Sequence, residues 1–361
     1  MYTIRPFIPD DIEQAATLHG KVLYGHERSS PEKRAYWKEV FFENPWRDED
    51  LPSWVCQKDD GSIVGFIGVI PRCMAMNGRP IRAAISTHFV VEPKSRGLTG
   101  VMLMRKFLAG PQDLSISEGN HSSRIVWEGL GGSVSLLHSN FWMCPLRPAR
   151  YLAQRLGKSK PMYAIAMAAV PLCKIVDSLA ASKRWGFSDA KVSSLEAEDT
   201  DVSTLITCIS TFSRQKSLVP QYDERSLQWL LTRLESKENG ETLRKVVFRD
   251  AKGTIAGWYV YCVKRGAFGE VVQMEAQRNF SQQVITHLFH DAYSHGAMAL
   301  SGRIDPILLQ EPSPSDCFLR GAKSWLLVHS TKPELTRAVQ SGDVFLTRLE
   351  GEWWIPFGSR A

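Results

Sequence analysis

The chain has no cysteine pair spaced as CxxC. Its seven cysteines, Cys56, Cys73, Cys144, Cys173, Cys208, Cys262 and Cys317, are scattered and odd in number. That argues against a disulfide framework and a structural zinc site, and for a reduced compartment. A secretory start is missing too. Met1-Tyr2-Thr3-Ile4-Arg5-Pro6 runs straight into a strand-like pattern, so the expected location is the cytoplasm. Long apolar runs are scarce: Pro161 to Ala180 raises the question, but Pro171 interrupts it and Lys174 and Asp177 lie within it, leaving too short an uncharged run to span a bilayer. Excess charge is small, 44 Lys and Arg against 38 Asp and Glu. Spread over 361 residues, +6 suits an anionic small ligand or a membrane surface, and no nucleic-acid partner is expected.

What is present is an ordinary globular composition, 43% hydrophobic and 23% charged, in a chain long enough for two cores. Residues 3–7 read as a strand, and Pro9-Asp10-Asp11 introduces a helix with Ile12, Ala15, Leu18 and Val22 on one face. A second helix follows Ser30-Pro31 and carries Tyr36, Trp37, Val40 and Phe41. Strands at 52–57 and 63–69 flank the turn Asp59-Asp60-Gly61, and Asn77-Gly78 leads into a strand at 81–91. A glycine-punctuated turn, Arg96-Gly97-Leu98-Thr99-Gly100, precedes a helix at 101–108. A strand at 124–127, a short helix and a closing strand at 141–143 complete this half. The order is α/β (α+β), without the βαβ rhythm of a doubly wound nucleotide fold.

The plan recurs. Asp59-Asp60-Gly61-Ser62-Ile63-Val64-Gly65-Phe66 has a counterpart in Ala251-Lys252-Gly253-Thr254-Ile255-Ala256-Gly257-Trp258, and each is preceded by a helix bearing a tryptophan, Trp37 or Trp229. A strand at 271–276 then leads to a helix at 282–293. The expected organisation is a first domain at 1–145, a basic, partly apolar helical linker at 146–187 and a second domain at 188–361. From Leu146 to Arg184 there are eight Lys or Arg against one acid, Asp177. This stretch reads either as a helix making a peripheral contact with an anionic inner-membrane face or as a buried inter-domain helix with a solvated basic flank.

The segment from Thr87 to Leu103 carries the chemistry. A strand, a sharp turn and a helix start leave backbone N–H groups unused at the positive end of a helix dipole, a cradle for a pyrophosphate, with Lys94 and Arg96 beside it. Val91-Glu92-Pro93-Lys94-Ser95-Arg96-Gly97 resembles motif A of the GNAT acetyltransferases, a strand ending V-x-P-x-x-R-G before a glycine-rich turn, and Asp59-Gly61-Ile63-Val64-Gly65 matches the hairpin that precedes it there. The resemblance covers residues 3–141 and implies two tandem GNAT-like domains with acetyl-CoA or another acyl-CoA as donor and no metal. It further implies that Arg96, Gly97, Leu98, Thr99, Gly100 and Val101 hold the pyrophosphate, while Phe89, Val90 and Val91 line the pantetheine arm. Two departures stand out. Thr99 and Val101 occupy positions that are usually glycine, and leucine replaces the frequent tyrosine acid within Ser135 to Phe141.

Acyl transfer to an amine needs a base for the ammonium and an acid for the leaving thiolate. His88 is either that base or a structural histidine within the sheet. Glu128 is either a base acting through water or a surface ion-pair partner, and His138 either replaces the missing acid or is an ordinary helix histidine. The second half has Met274 to Ser281 where the turn would be, with neither glycine nor proline, and so reads as a degenerate copy. His287, His290 and His295 cluster on its helix without a third-ligand pattern for a metal. The expected activity is N-acylation of a small-molecule or glycan amine, such as an amino sugar. The tandem layout and Pro145-Leu146-Arg147-Pro148 resemble acyltransferases of bacterial polysaccharide clusters. Two rivals are a Fem-type aminoacyl transferase, which also pairs such domains, and a non-catalytic acyl-CoA-binding scaffold.

Overall fold

The computed structural model describes residues 2–25, 29–156, 172–173, 175–177, 195–235, 241–304, 317–321 and 324–351. Two compact units emerge, and neither is a single stretch of chain. One comprises residues 1–139, 213–233 and 322–361, the other 140–212 and 234–321.

The first unit opens with β1 (Tyr2–Pro6), α1 (Ile12–Tyr24) and α2 (Pro31–Phe42), the last capped by Ser30, whose side chain accepts from the Lys33 amide. Then come β2 (Trp54–Lys58), β3 (Ile63–Met76) and β4 (Arg79–Val91). Gly61 (φ 83°) closes the first hairpin, and Asn77 and Gly78 (φ 50° and 78°) close the second, the left-handed pair that a two-residue turn requires. After β4 follow α3 (Leu98–Leu108), β5 (Leu114–Gly119), α4 (His121–Gly129), β6 (Ser133–Ser135) and α5 (Leu136–Ser139). Residues 124–127, expected as a strand, are helical. Asn120 caps that helix by accepting from the Ser123 amide, and the helical turn carries Trp127 into the core, where its indole N–H donates to the Val328 carbonyl at 3.0 Å.

The chain then leaves the first sheet. β7 (Phe141–Pro145), expected to close that sheet, pairs with β13 (Ala299–Arg303) and β14 (Phe318–Arg320) in the second. In its place β15 (Trp325–His329) inserts between β5 and β6, with Leu327 opposite Ser117 and Val134. The first sheet therefore runs β1-β2-β3-β4-β5-β15-β6, and β9 (Leu218–Pro220) pairs with the far end of β3. The apolar character of both segments satisfies either sheet, so pattern alone does not say which strand goes where.

The second unit contains α6 (Pro148–Leu156), β8 (Glu196–Asp199), α7 (Val202–Ser213), β10 (Thr242–Arg249), β11 (Ile255–Val263), β12 (Phe268–Ala276) and α9 (Ser281–Ser294) besides β7, β13 and β14. Most of the Trp229 helix, α8 (Glu224–Glu235), belongs to the first unit. There Trp229 meets Trp46 edge-on at 6.0 Å and Arg233 pairs with Glu39. The remaining helix, α10 (Pro333–Ser341), also lies in the first unit. Among the described residues no helix is long and apolar enough to cross a membrane, and no group of His, Cys, Asp and Glu is placed to hold a metal. Most of the stretch 146–184, with its central apolar run, lies outside the described residues, as do Trp353 and Trp354.

The repeated hairpin is visible in the register. Gly65 pairs with Val91 in the first sheet and Gly257 with Ala276 in the second. The Glu92 amide donates to Val64 and the Gln277 amide to Ala256, both at 2.8 Å. Each glycine lets a helix lie flat on its strand. An added Cβ at Gly65 would stand 2.7 Å from Leu103 Cδ1, and one at Gly257 2.7 Å from Val284 Cγ2.

Candidate functional site

The site grows from β4. Opposite Ile67, β4 has two residues, His88 and Phe89, where one would keep register: Phe66 pairs with Val90 and Gly68 with Thr87. This is a β-bulge, and His88 takes a left-handed backbone (φ 51°) within it. Such a conformation costs a non-glycine residue about 1–3 kcal/mol and persists where the surroundings over-determine it. Thr87 Oγ1, 2.9 Å from His88 Nδ1, and a nest of rings do so here. His88 lies 4.7 Å from His19 on α1 and 5.2 and 5.7 Å from Trp37 and Phe41 on α2. Phe66 and Phe7 extend the nest.

The bulge coincides with a fork. β4 and β5 pair in parallel through Ala83–Ser86 and Leu114–Ser117, and there their ladder ends. β5 continues to Gly119 opposite Trp325 of β15, so the C-terminal end of β4, residues 87–91, runs on without β5 alongside. Beyond the fork, Pro93–Ser95 make a short 3-10 turn and Gly97 (φ 92°, ψ −102°) redirects the chain into α3. Only glycine adopts that geometry without strain. Within α3 the first backbone bond is from the Val101 amide to the Gly97 carbonyl at 3.1 Å, and Gly97 offers no side-chain cap. The N–H groups of Leu98, Thr99 and Gly100 therefore have no intrahelical acceptor and face outward with the dipole behind them. Gly100 is buried over Phe89, 3.5 Å from the ring for an added Cβ, and Thr99 is buried beside it. Lys94 and Arg96 are exposed beside them.

All nine residues expected to hold the donor thus lie on one continuous strand–turn–helix. The three acid–base candidates do not come together. His88 is 2% exposed and faces α1 and α2. Burial, with the His19 ring and Lys33 nearby, pushes its basicity well below the usual imidazole range. Glu128 stands on α4, whose Trp127 packs 6.2 Å from Phe107 of α3 in the core on the other face of the sheet. Its carboxylate forms a surface pair with Arg124 at 3.0 Å. His138 is buried rather than on the helix surface, with Nδ1 2.8 Å from Ser135 Oγ.

Sequence reading missed His19. It is fully buried and held neutral down to about pH 3, mainly by burial with Lys33 adding to it. Its spacing from Ile12 and Ala15 places it on the apolar face of α1, which is the signal that could have found it. In the second unit the corresponding turn is closed. The Gln277 side chain donates to the Ile255 carbonyl at 2.9 Å, Phe280 packs on the core, and no residue between Ala276 and Ser281 takes a positive φ. His287 bonds Tyr259 at 3.0 Å, and Asp291 holds Tyr261 and Arg244.

No protein-family model matches the chain, and no curated protein matches it in sequence. Solved structures do match in shape. A GCN5-related N-acetyltransferase from Anabaena variabilis superposes with a TM-score of 0.60 at 13% identity, over 91% of this chain and 72% of that one. One from Kribbella flavida gives 0.56 at 14% identity, over 91% and 70%. The N-myristoyltransferase of Saccharomyces cerevisiae, solved with myristoyl-CoA and inhibitors, gives 0.51 at 10%, over 91% and 79%. Two mixed α/β sheets, a bulged and forked first sheet and an open glycine turn make this the fold of the GCN5-related acyl-CoA N-acyltransferases.

Proposed function

We propose that the chain is an acyl-CoA-dependent N-acyltransferase with one donor site, on the first unit. The observation that carries this reading is the open strand–turn–helix at 87–101. Its outward amides and the fork beside it offer the two things an extended phosphopantetheine needs, an anion cradle and a free strand edge. In this reading the pyrophosphate rests on the amides of Leu98, Thr99 and Gly100 with Arg96 beside it, and the pantetheine amides pair with β4 at Phe89–Val91. The thioester carbonyl then reaches the bulge, where an acceptor amine in its neutral form attacks the carbon, the carbon–sulfur bond breaks, and the proton lost from nitrogen passes through solvent to the departing coenzyme A thiolate. A neutral His88 shapes that bulge and is a weak proton acceptor. The first acceptor class to test is a primary amine on a sugar or glycan precursor.

The test is calorimetry with acetyl-CoA on the wild type and on Arg96→Glu/Gly100→Glu, with circular dichroism to confirm folding. Binding at one donor per chain, lost in the variant, is expected. A folded wild type that binds no acyl-CoA would sink the reading. A second reading, a non-catalytic acyl-CoA binder, is favoured by the separation of His88, Glu128 and His138 onto different elements. It is distinguished by donor binding without thiol release on any amine of a broad panel.

A further inference from the structure

The charge of this chain is unevenly distributed along its sequence. Residues 146–184 hold eight Lys or Arg and one acid, a net +7, while the rest of the chain has 36 Lys or Arg against 37 Asp or Glu and is slightly negative. The single acid offsets one of these cations, Arg150, and another, Arg147, is buried against the Ala297 and Tyr293 carbonyls. Asp177 is fully buried and spent on α6, accepting from the Ala149 amide at 2.8 Å and the Arg150 guanidinium at 3.1 Å. That bond fastens the piece of chain carrying Leu172, Ile175 and Val176, which are 47–66% exposed, beside the start of α6.

α6 itself brings further apolar side chains together. Tyr151 on α6 meets Phe268 at 5.9 Å and Phe318 at 6.4 Å, and both phenylalanines are partly exposed. Leu152 follows Tyr151 on α6 and is more than half exposed, whereas Leu319 alternates with Phe318 and points to the other face of the sheet. Cations rim the group. Arg155 lies over the Tyr151 ring, Arg320 reaches Met143 Sδ at 3.7 Å, and Lys264 and Arg265 are exposed on the turn before Phe268. Large exposed apolar groups clustered among basic ones are uncommon on a surface that meets only water.

We infer that this face of the second unit is a peripheral binding surface for anionic lipid. Leu152, Phe268 and Phe318 would enter the headgroup layer while Arg155, Lys264, Arg265 and Arg320 meet lipid phosphates. These cations supply an attraction that salt screens, and apolar insertion adds the salt-resistant part. The inference does not depend on the acyltransfer reading, since none of these residues belongs to the donor site.

The experiment is co-sedimentation of the full chain with vesicles of phosphatidylglycerol and phosphatidylethanolamine, and with pure phosphatidylcholine. Binding to the anionic vesicles, weakened at least tenfold between 0.05 and 0.5 M salt and absent on phosphatidylcholine, is expected. Arg155→Glu/Lys264→Glu/Arg265→Glu should reduce the affinity at least tenfold, and so should Leu152→Ser/Phe268→Ser/Phe318→Ser, while acetyl-CoA calorimetry stays as in the wild type. Failure of the wild type to sediment at high lipid excess overturns the inference. So does sedimentation unchanged in both variants, or a dimer in ultracentrifugation that the serine variant dissolves without any lipid binding.

Discussion

The two strand–turn–helix junctions of this chain start alike and end differently. In each, a glycine on the preceding strand lets the helix settle flat, and the first amide after the strand bonds back across the hairpin at the same distance. The first junction then spends Gly97 on a left-handed turn and leaves the amides of α3 facing out. The second places Gln277 and Phe280 in that space and seals it with a side-chain bond and core packing. The scaffold is common to both, and the few residues after the strand decide whether a ligand can approach. A helix start becomes a binding site only where the chain declines to fill it.

The largest test of that difference is charge placed in each junction. Arg96→Glu/Gly100→Glu should weaken acetyl-CoA binding by about a thousandfold, near 4 kcal/mol, while Gln282→Glu/Gln283→Glu at the second helix start should leave donor affinity within twofold by calorimetry. Next comes acid stability. His19 and His88 are both held neutral when folded, with basicity lowered from the usual 6.5. The unfolded chain gains protons on them as pH falls below 6.5 while the native state does not, so stability declines from there down toward about pH 3. From pH 7 to pH 5 His19 alone should account for about 2 kcal/mol of lost stability in urea unfolding, and His19→Leu should remove that part of the slope and leave the share of His88. His88→Asn, which tolerates the left-handed backbone, should also flatten the slope.

Smaller again are alanines at the two strand glycines. Gly257→Ala meets the Ala276 Cβ and the Glu275 carbonyl as well as Val284, and should cost about 2–3 kcal/mol without touching donor affinity. Gly65→Ala meets chiefly the flexible end of Leu103, should cost about 1 kcal/mol, and should shift donor affinity because α3 carries the site. The smallest effect is expected for Glu128→Gln. Its exposed pair with Arg124 contributes about 0.3–0.5 kcal/mol, and thiol release should be unchanged by the substitution.

Much of the site is legible in the amino-acid sequence. Asn77-Gly78, Asp59-Asp60-Gly61 and the turn ending in Gly97 are places where backbone geometry demands particular residues, and there the local pattern and the fold agree. Three things are not legible there. Residues 125–127 are the β-branched and aromatic run that a strand favours, but the cap at Asn120 and the burial of Trp127 make them a helix. The bulge that turns His88 toward α1 depends on register across the hairpin, which no single strand records. The exchange of β7 for β15 depends on pairings between residues far apart in sequence, where two apolar segments are interchangeable by composition.

That exchange has a consequence for how the molecule is made. The first sheet has to wait for residues 325–329 before β5 and β6 are bridged, so through most of synthesis a nascent chain carries two unsatisfied strand edges. Pairings this distant are slow to form and leave time for misassociation. A ribosome stalled near residue 145 would release an open sheet plus a strand whose partners are still to be made. Biogenesis of this protein should therefore be sensitive to late truncation and to loss of chaperones that hold nascent chains, more so than the modest size of either unit would suggest.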